Sequence, residues 1–317
     1  MENKILKIST QTGDLFNECT TDGEYLYNCF KYLRDCGFEA MDYNMDHFLK
    51  PDEIHSGKLN NFWDKSIDEL YEYFSPTKEA AERSGILFSQ AHASFPLHIE
   101  GNDSVNDYLI TVMEKSMAVC SYLNCPAIVA HPVCHEVKDS EMEINLNMYR
   151  KMIPAAKKYG VKICLENTFR VINGKPIEGV CSEVEETCFY IDKLNSEAGE
   201  DIFGFCLDIG HANLMGRDLK GYIKRLDKRL TCLHIHDNDG SYDMHMVPYT
   251  QARDWGKIHC TDWEGMIAGL AEINYSGNLS FEAFRGVGNF PKEAEPEVLR
   301  LLSAIGRYFR SRILENK

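Results

Sequence analysis

Four short apolar runs in the second half of the chain each end on a side chain able to grip a cation or carry a proton. They are Glu166 in Ile163-Cys-Leu-Glu-Asn, Asp208 in Phe205-Cys-Leu-Asp-Ile, His236 in Leu233-His-Ile-His-Asp and Glu282 in Leu279-Ser-Phe-Glu-Ala. Taken one at a time such residues have ordinary uses, since a strand-end carboxylate caps the next helix and a buried histidine satisfies a backbone carbonyl. Together they mean more. Three carboxylates crowded at one end of a sheet repel one another and shift their pKa values unless a cation neutralises them. Oxygen-rich ligation with one imidazole suits one divalent metal ion, and the residue types do not choose among Mn, Mg, Co and Zn.

The chemistry open to such a set is proton transfer beside a carbonyl. That reaction needs the enediolate charge stabilised, a base on one face of the carbon and an acid on the other. A cation gripping the carbonyl and the adjacent hydroxyl oxygen meets the first need as a Lewis acid. Glu166 and Glu282, on different strands, can serve the two faces. If both act at one carbon the result is an epimerase, and if the proton returns to the neighbouring carbon it is an aldose–ketose isomerase. The residue types leave both open.

The elements that must position these groups are legible as alternating runs. Stretches rich in Val, Ile, Leu and Phe recur at 4 to 10, 38 to 43, 86 to 92, 127 to 131, 161 to 166, 203 to 208, 230 to 236 and 278 to 282. Longer segments with helical spacing separate them, two of them opening with expected capping boxes, Ser182 with Glu185 and Thr261 with Glu264. Gly37, Gly85, Gly160, Gly204 and Gly277 stand before strands, where a helix end wants a residue tolerant of positive φ. Alternating strand and helix implies a parallel sheet. Eight such strands ending in groups that must meet imply closure into a single-domain (β/α)8 TIM barrel over residues 1–317, with the site at its C-terminal mouth. No Gly-x-Gly-x-x-Gly follows the first strand and no Gly-Lys-Ser/Thr loop occurs, so the nucleotide-binding fingerprints of an open sheet are missing.

Several segments resemble a known group. Cys164-Leu-Glu166-Asn, Leu207-Asp208-Ile-Gly-His211-Ala-Asn213, His234-Ile-His236-Asp-Asn, the Asp243-Met-His245 pair followed by Pro248, and Phe281-Glu282-Ala-Phe resemble the xylose isomerase-like barrel superfamily. More narrowly they resemble its sugar phosphate isomerase/epimerase family, which includes ketose 3-epimerases and inosose isomerases. The resemblance covers essentially the whole chain and is strongest from 160 to 285. It implies Glu166, Asp208, His236 and Glu282 as metal ligands, Glu166 and Glu282 as the catalytic pair, and His211 as a contact to a substrate oxygen. The chain departs from the pattern after Pro248, where Tyr249 to Gly256 replaces a short Gly-rich turn with a longer aromatic loop, which leaves substrate identity open.

His92, His131, His211, Asp243 and His245 bring the potential ligands to nine. Their order is also that of the apurinic-site endonucleases of the same superfamily, which carry three zinc ions, so a phosphodiesterase on abasic DNA is an alternative. A sugar-binding homologue without turnover is another. Asp243 and His245 read as groups that orient the His236 ring, since ligating imidazoles are commonly fixed by a carboxylate. His92, His131, Asn167 and Arg253 are candidate substrate contacts, each with a competing structural use. Trp63, Phe95, Phe169 and Trp255 are candidates for an apolar wall against the C–H face of a sugar.

Composition narrows the partner. A formal charge of −15 disfavours nucleic acid, whose binding is driven by lysine and arginine displacing counterions. A small carbohydrate fits, and no phosphate cradle is marked. No run of about 18 apolar residues and no apolar leader stand out, so a cytoplasmic protein with no membrane partner is expected. The 12 cysteines are scattered, many inside apolar runs, and read as reduced core residues. The long segments 44 to 62 and 168 to 181 exceed ordinary loop length and are candidates for a lid or for contacts in a homo-oligomer.

Overall fold

The computed structural model describes residues 6–13, 15–251 and 261–316. The eight expected strands form. They are β1 (Ile8–Gln11), β2 (Ala40–Asn44), β3 (Leu87–His92), β4 (Ala127–Ala130) and β5 (Lys162–Glu166). After a short hairpin of β6 (Phe169–Ile172) and β7 (Lys175–Glu178) come β8 (Phe203–Asp208), β9 (Leu230–His234) and β10 (Leu279–Phe281). Apart from the hairpin the strands are parallel, in the order β10-β1-β2-β3-β4-β5-β8-β9. The ring closes where Ile235 N donates to Ser280 O at 2.9 Å and Glu282 N to Ile235 O at 3.1 Å.

Helices cover the outside. They are α1 (Gly23–Asp35), α2 (Pro51–Ser56), α3 (Ile67–Ser84), α4 (Asp103–Tyr122), α5 (Lys138–Tyr159) and α6 (Val184–Ala198). Then follow α7 (Ile209–Leu214), α8 (Leu219–Leu226), α9 (Trp263–Glu272), α10 (Phe284–Gly288) and α11 (Glu295–Glu315). Each long helix turns an apolar stripe toward the sheet, Leu26, Phe30 and Leu33 on α1 for example. Strands with cover on both faces need no polar side, and β1, β2, β4 and β8 are buried throughout. Among the described residues no helix is long and apolar enough to cross a membrane.

The chain punctuates its helices differently from expectation at four places. Ser182 does not cap α6, whose N-cap is Glu183. Thr261 does not cap α9 either, because its hydroxyl donates to Asp237 Oδ1 at 2.7 Å, leaving Asp262 to accept from Gly265 N. Gly85 and Gly160 end α3 and α5 in the left-handed conformation as expected. Gly204, however, lies inside β8, where a Cβ would collide with the Thr231 side chain, and the helix before it ends at Gly199 with φ 68°. Before β10 the positive φ belongs to Asn274, and Gly277 is small because the Tyr275 ring lies against it.

The long segments also acquire shape. Residues 168 to 181 hold the antiparallel β6–β7 hairpin, and 44 to 62 hold the turn Asp46–Phe48 and α2. Trp63 is fully buried against Phe48 and Phe62 rather than facing the mouth. Every described cysteine is a free thiol.

Candidate metal and substrate site

Side chains on a strand alternate between faces, so residues two apart share the barrel interior. Cys164 and Glu166, Cys206 and Asp208, Ser280 and Glu282, and Cys232, His234 and His236 are such sets. The thiols of Cys164, Cys206 and Cys232 pack with Ala127 and Val129 as a small apolar floor. One step further along each strand, that floor gives way to carboxylates and imidazoles.

Four of these groups converge. Glu166, Asp208, His234 and Glu282 can each offer one donor atom, all within 4.8 Å of one another. His234 Nδ1 lies 3.3 Å from both Glu166 Oε1 and Glu282 Oε2. Its Nε2 lies 2.9 Å from Asp42 Oδ2, which also accepts from Gln90 Nε2 at 2.8 Å. Gln11 Nε2 donates to Glu282 Oε1 at 3.0 Å.

The sequence reading puts His236 in this quartet, whereas the structure brings His234 there. His236 stands one pleat further out, its Nε2 3.1 Å from the Asp208 carboxylate and its ring stacked 4.2 Å from that of His245. It shares one donor group with Asp208 and His211 and another with Asp243 and His245. Gly210 makes room for it, since a Cβ there would fall on the His236 ring.

The remaining expected residues take distinct places. His211 N donates to Asp208 Oδ1 at 2.6 Å, its Nδ1 donates to Asn167 O at 2.8 Å, and its Nε2 lies 3.7 Å from Asp243 Oδ2. His245 is held between Asp243 Oδ2 at 2.7 Å and the Glu282 carbonyl at 2.9 Å. His92 donates from Nδ1 to Ala93 O and its Nε2 faces His131 Nε2 at 3.1 Å, which in turn lies 3.1 Å from Glu166 Oε2. Both ends of the Asn167 amide are spent on the backbone of Asp208, and it is not among the residues that line the cavity. Arg253 and Trp255 lie outside the described residues.

The electrostatics are divided. Burial favours a neutral Glu282 and pushes it up to about 7, outweighing the lowering by His234 and His245. Glu166 is equally buried, yet His234 and His131 outweigh that and hold it well below the usual range. Asp243 is also held low against its burial, by the neighbouring His211 imidazole and a hydrogen bond from His245. Burial, helped by the charge of His131, lowers His92 to about 4 and keeps it neutral. His234 Nδ1, His236 Nδ1 and Asp243 Oδ1 are buried without a hydrogen-bond partner among the described residues. Orphaned donor atoms beside converging carboxylates fit a divalent cation of the O,N-preferring kind.

Above the quartet opens a cavity of about 300 Å³ lined by Gln11, Asn44, Asp46, Phe95, Phe169 and Phe284, with His92, His131, His211, Asp243, His245 and Arg285. His234, Asp42, Gln11, Asp46 and Arg285 were not singled out from sequence. The signal for His234 was present, because a residue two before His236 on a strand must share its face.

Curated relatives match over between 26 and 73% of their own length. The inosose isomerase of Halalkalibacterium halodurans is 26% identical over 237 residues, 70% of this chain and 73% of the relative. The D-psicose 3-epimerase of Clostridium cellulolyticum H10, solved with D-tagatose, superposes with a TM-score of 0.68 at 15% identity over 96% of this chain and 99% of its own. The IOLI protein, solved with a bound zinc atom, superposes with a TM-score of 0.62 at 21% identity over 97% and 98%. Residues 30–304 match the model of one family, and the chain belongs to it: the xylose isomerase-like TIM barrels.

Proposed function

We propose that the chain is a divalent-metal-dependent isomerase or epimerase of a small sugar or related polyhydroxy ketone. It acts by proton transfer through a cis-enediolate, with Glu166 and Glu282 as the two proton-transfer groups. One observation carries this reading: two buried glutamates face each other across His234 Nδ1 with opposite electrostatic bias, at the floor of a sugar-sized cavity. Environments that split a pair of carboxylates assign them as base and acid. Glu166, held ionised, and Glu282, whose burial raises its affinity for a proton, differ in how readily they hold one, as a pair that takes and returns a proton requires. A bound cation would supply Lewis-acid stabilisation of the enediolate charge. Glu166, Asp208, Glu282 and His234 are the residues that would hold it, with Asp42 orienting the His234 ring and Asp243 linking His211 to His245. His211, its Nδ1 anchored on the Asn167 carbonyl, presents Nε2 toward the cavity as a contact for a substrate oxygen.

The inosose isomerase relative, the zinc in the IOLI structure and the tagatose-bound epimerase support this choice of chemistry. The test is incorporation of solvent deuterium into carbon positions of a panel of ketoses, inososes and their phosphates, with Mn, Mg, Co or Zn present. Exchange into at least one compound is expected. Its absence across the panel would leave a sugar binder without turnover.

A second reading has one observation in its favour. Donor groups flank the quartet on both sides, His92 with His131 and Glu166, and His236 with Asp243 and His245, as a three-zinc phosphodiesterase of abasic DNA requires. The acidic balance of the chain opposes it. Metal stoichiometry separates the two, one tightly held ion against three.

A further inference from the structure

The three thiols beneath the quartet are not equivalent. Cys232 Sγ donates to Cys164 Sγ at 3.6 Å, so those two partner each other. Cys206 holds the third place on the floor. It is fully buried, stands opposite Glu166 in the β5–β8 register, and points into the barrel on the same face as Asp208, two residues further on. Its polar neighbours are the Glu166 carboxylate and the His234 imidazole. One donor atom from each of Glu166, Cys206 and His234 lies within 4.8 Å of the others, and among the described residues neither Cys164 nor Cys232 belongs to any such group. His234 gives an independent sign that the space between these groups suits an ion. Its ring is fully buried, and Nδ1 lies 3.3 Å from both Glu166 Oε1 and Glu282 Oε2 without forming a well-shaped hydrogen bond to either. A buried nitrogen so placed is satisfied by a cation that the neighbouring donors share.

We propose that Cys206 is a metal-selecting ligand. A thiophilic ion such as zinc, cobalt or cadmium is held by Cys206 Sγ together with Glu166 and His234, on the inner side of the quartet. Manganese and magnesium are held by the oxygen and nitrogen donors alone. This rests on the metal-binding reading of the site and adds the class of ion that the site prefers. The quartet by itself, three carboxylates and one imidazole, leaves that choice open. Sulfur, nitrogen and oxygen in one small group is a donor set that zinc accepts, and a thiolate favours such an ion over the hard cations that suit carboxylate and water. Binding exchanges the thiol proton, which is released to water, for the ion, as at any coordinating cysteine. Zinc and cobalt bind nitrogen and oxygen donors more tightly than manganese in any case, so the part of the preference that Cys206 adds is what distinguishes this role from a packed thiol.

The experiment loads the metal-free full chain with an equimolar amount of Co(II) and records its absorption spectrum. Zinc, cadmium and manganese affinities are then measured by competition with a calibrated chelator. The wild type is compared with Cys206→Ser and Cys164→Ala, and Cys206→Ala replaces the first variant should it fail to fold. The wild type and Cys164→Ala should show the near-ultraviolet sulfur-to-cobalt charge-transfer band, and Cys206→Ser should lack it. Cys206→Ser should bind zinc and cadmium about tenfold or more weaker than the wild type, and manganese within about threefold of it. A band absent from the wild type, a band that survives in Cys206→Ser, or equal losses of zinc and manganese affinity would each overturn the proposal. The visible d–d absorption of cobalt reports on the metal reading separately. Bound cobalt without the sulfur band defeats Cys206 as a ligand and leaves the quartet standing, whereas a chain that takes up no ion defeats both.

Discussion

Replacement of Asp42 by asparagine tests the arrangement on which the metal reading depends. Asp42 is fully buried, and its Oδ2 takes the Nε2 of His234 at 2.9 Å and that of Gln90 at 2.8 Å. With a cation bound in place of the second ring proton, that pairing would keep the proton on Nε2 and leave the Nδ1 lone pair aimed between Glu166 and Glu282. Asparagine preserves shape and can still accept with its amide oxygen, but it removes the charge that makes the imidazole a better donor to a cation. Loss of such a carboxylate behind a ligating histidine weakens metal affinity by about 10- to 100-fold, or about 1.4 to 2.7 kcal/mol. The fold should lose less, about 1 kcal/mol, the difference between a charge-assisted and a neutral hydrogen bond. Competition against a calibrated chelator measures the affinity, and thermal melting of the metal-free protein gives the stability. His236→Ala supplies the contrast, because its ring lies outside the quartet and its removal should cost less affinity than His234→Ala. An unchanged affinity in Asp42→Asn, together with loss of the ion in His236→Ala and its retention in His234→Ala, would refute the assignment.

Glu282→Gln is expected to keep the melting temperature near that of the wild type and to abolish deuterium exchange, and an unaffected exchange rate would remove Glu282 from the mechanism. Gly210→Ala drives a methyl group into the His236 ring and should destabilise the protein by about 1 to 3 kcal/mol in denaturant titration, as overpacking does. An unaltered unfolding midpoint would mean that the ring has room to spare. Ion binding should fall with pH, because Glu282 is pushed up to about 7 by burial and must release its proton to ligate. His234, held protonated above its usual range by the anionic groups around it against its burial, must also give up a proton, so affinity should fall by at least about tenfold per pH unit below about 7, and a flat affinity between about pH 6 and 8 in a buffered titration would contradict this. Chelation of the ion should lower the melting temperature, since an ion at about 100 times its Kd contributes about 2.7 kcal/mol, and identical melts with and without chelator would exclude a tightly held ion.

The barrel was legible because two periodicities agree: apolar runs of strand length recur eight times, and helical spacing fills every gap between them. Glu166, Asp208 and Glu282 were legible for the same reason, as each is the residue at which an inward-facing run turns polar. The differences between the sequence reading and the structure share a physical cause. Sequence shows which residue ends a run but not how far out of the barrel the strand has risen at that point. At β9 both His234 and His236 face inward, and the deeper one reaches the glutamates because Asp42, from the strand that begins the chain's second βα unit, pulls its other nitrogen across the barrel. Asp42 itself sits inside an apolar run, Met41 to Tyr43, where a carboxylate gives no sign of its partner 192 positions away. Caps failed similarly. Thr261 has the right spacing to Glu264, but Asp237 claims its hydroxyl from another strand end. Local chemistry placed the elements, and contacts between distant strand ends chose which donor each element contributes.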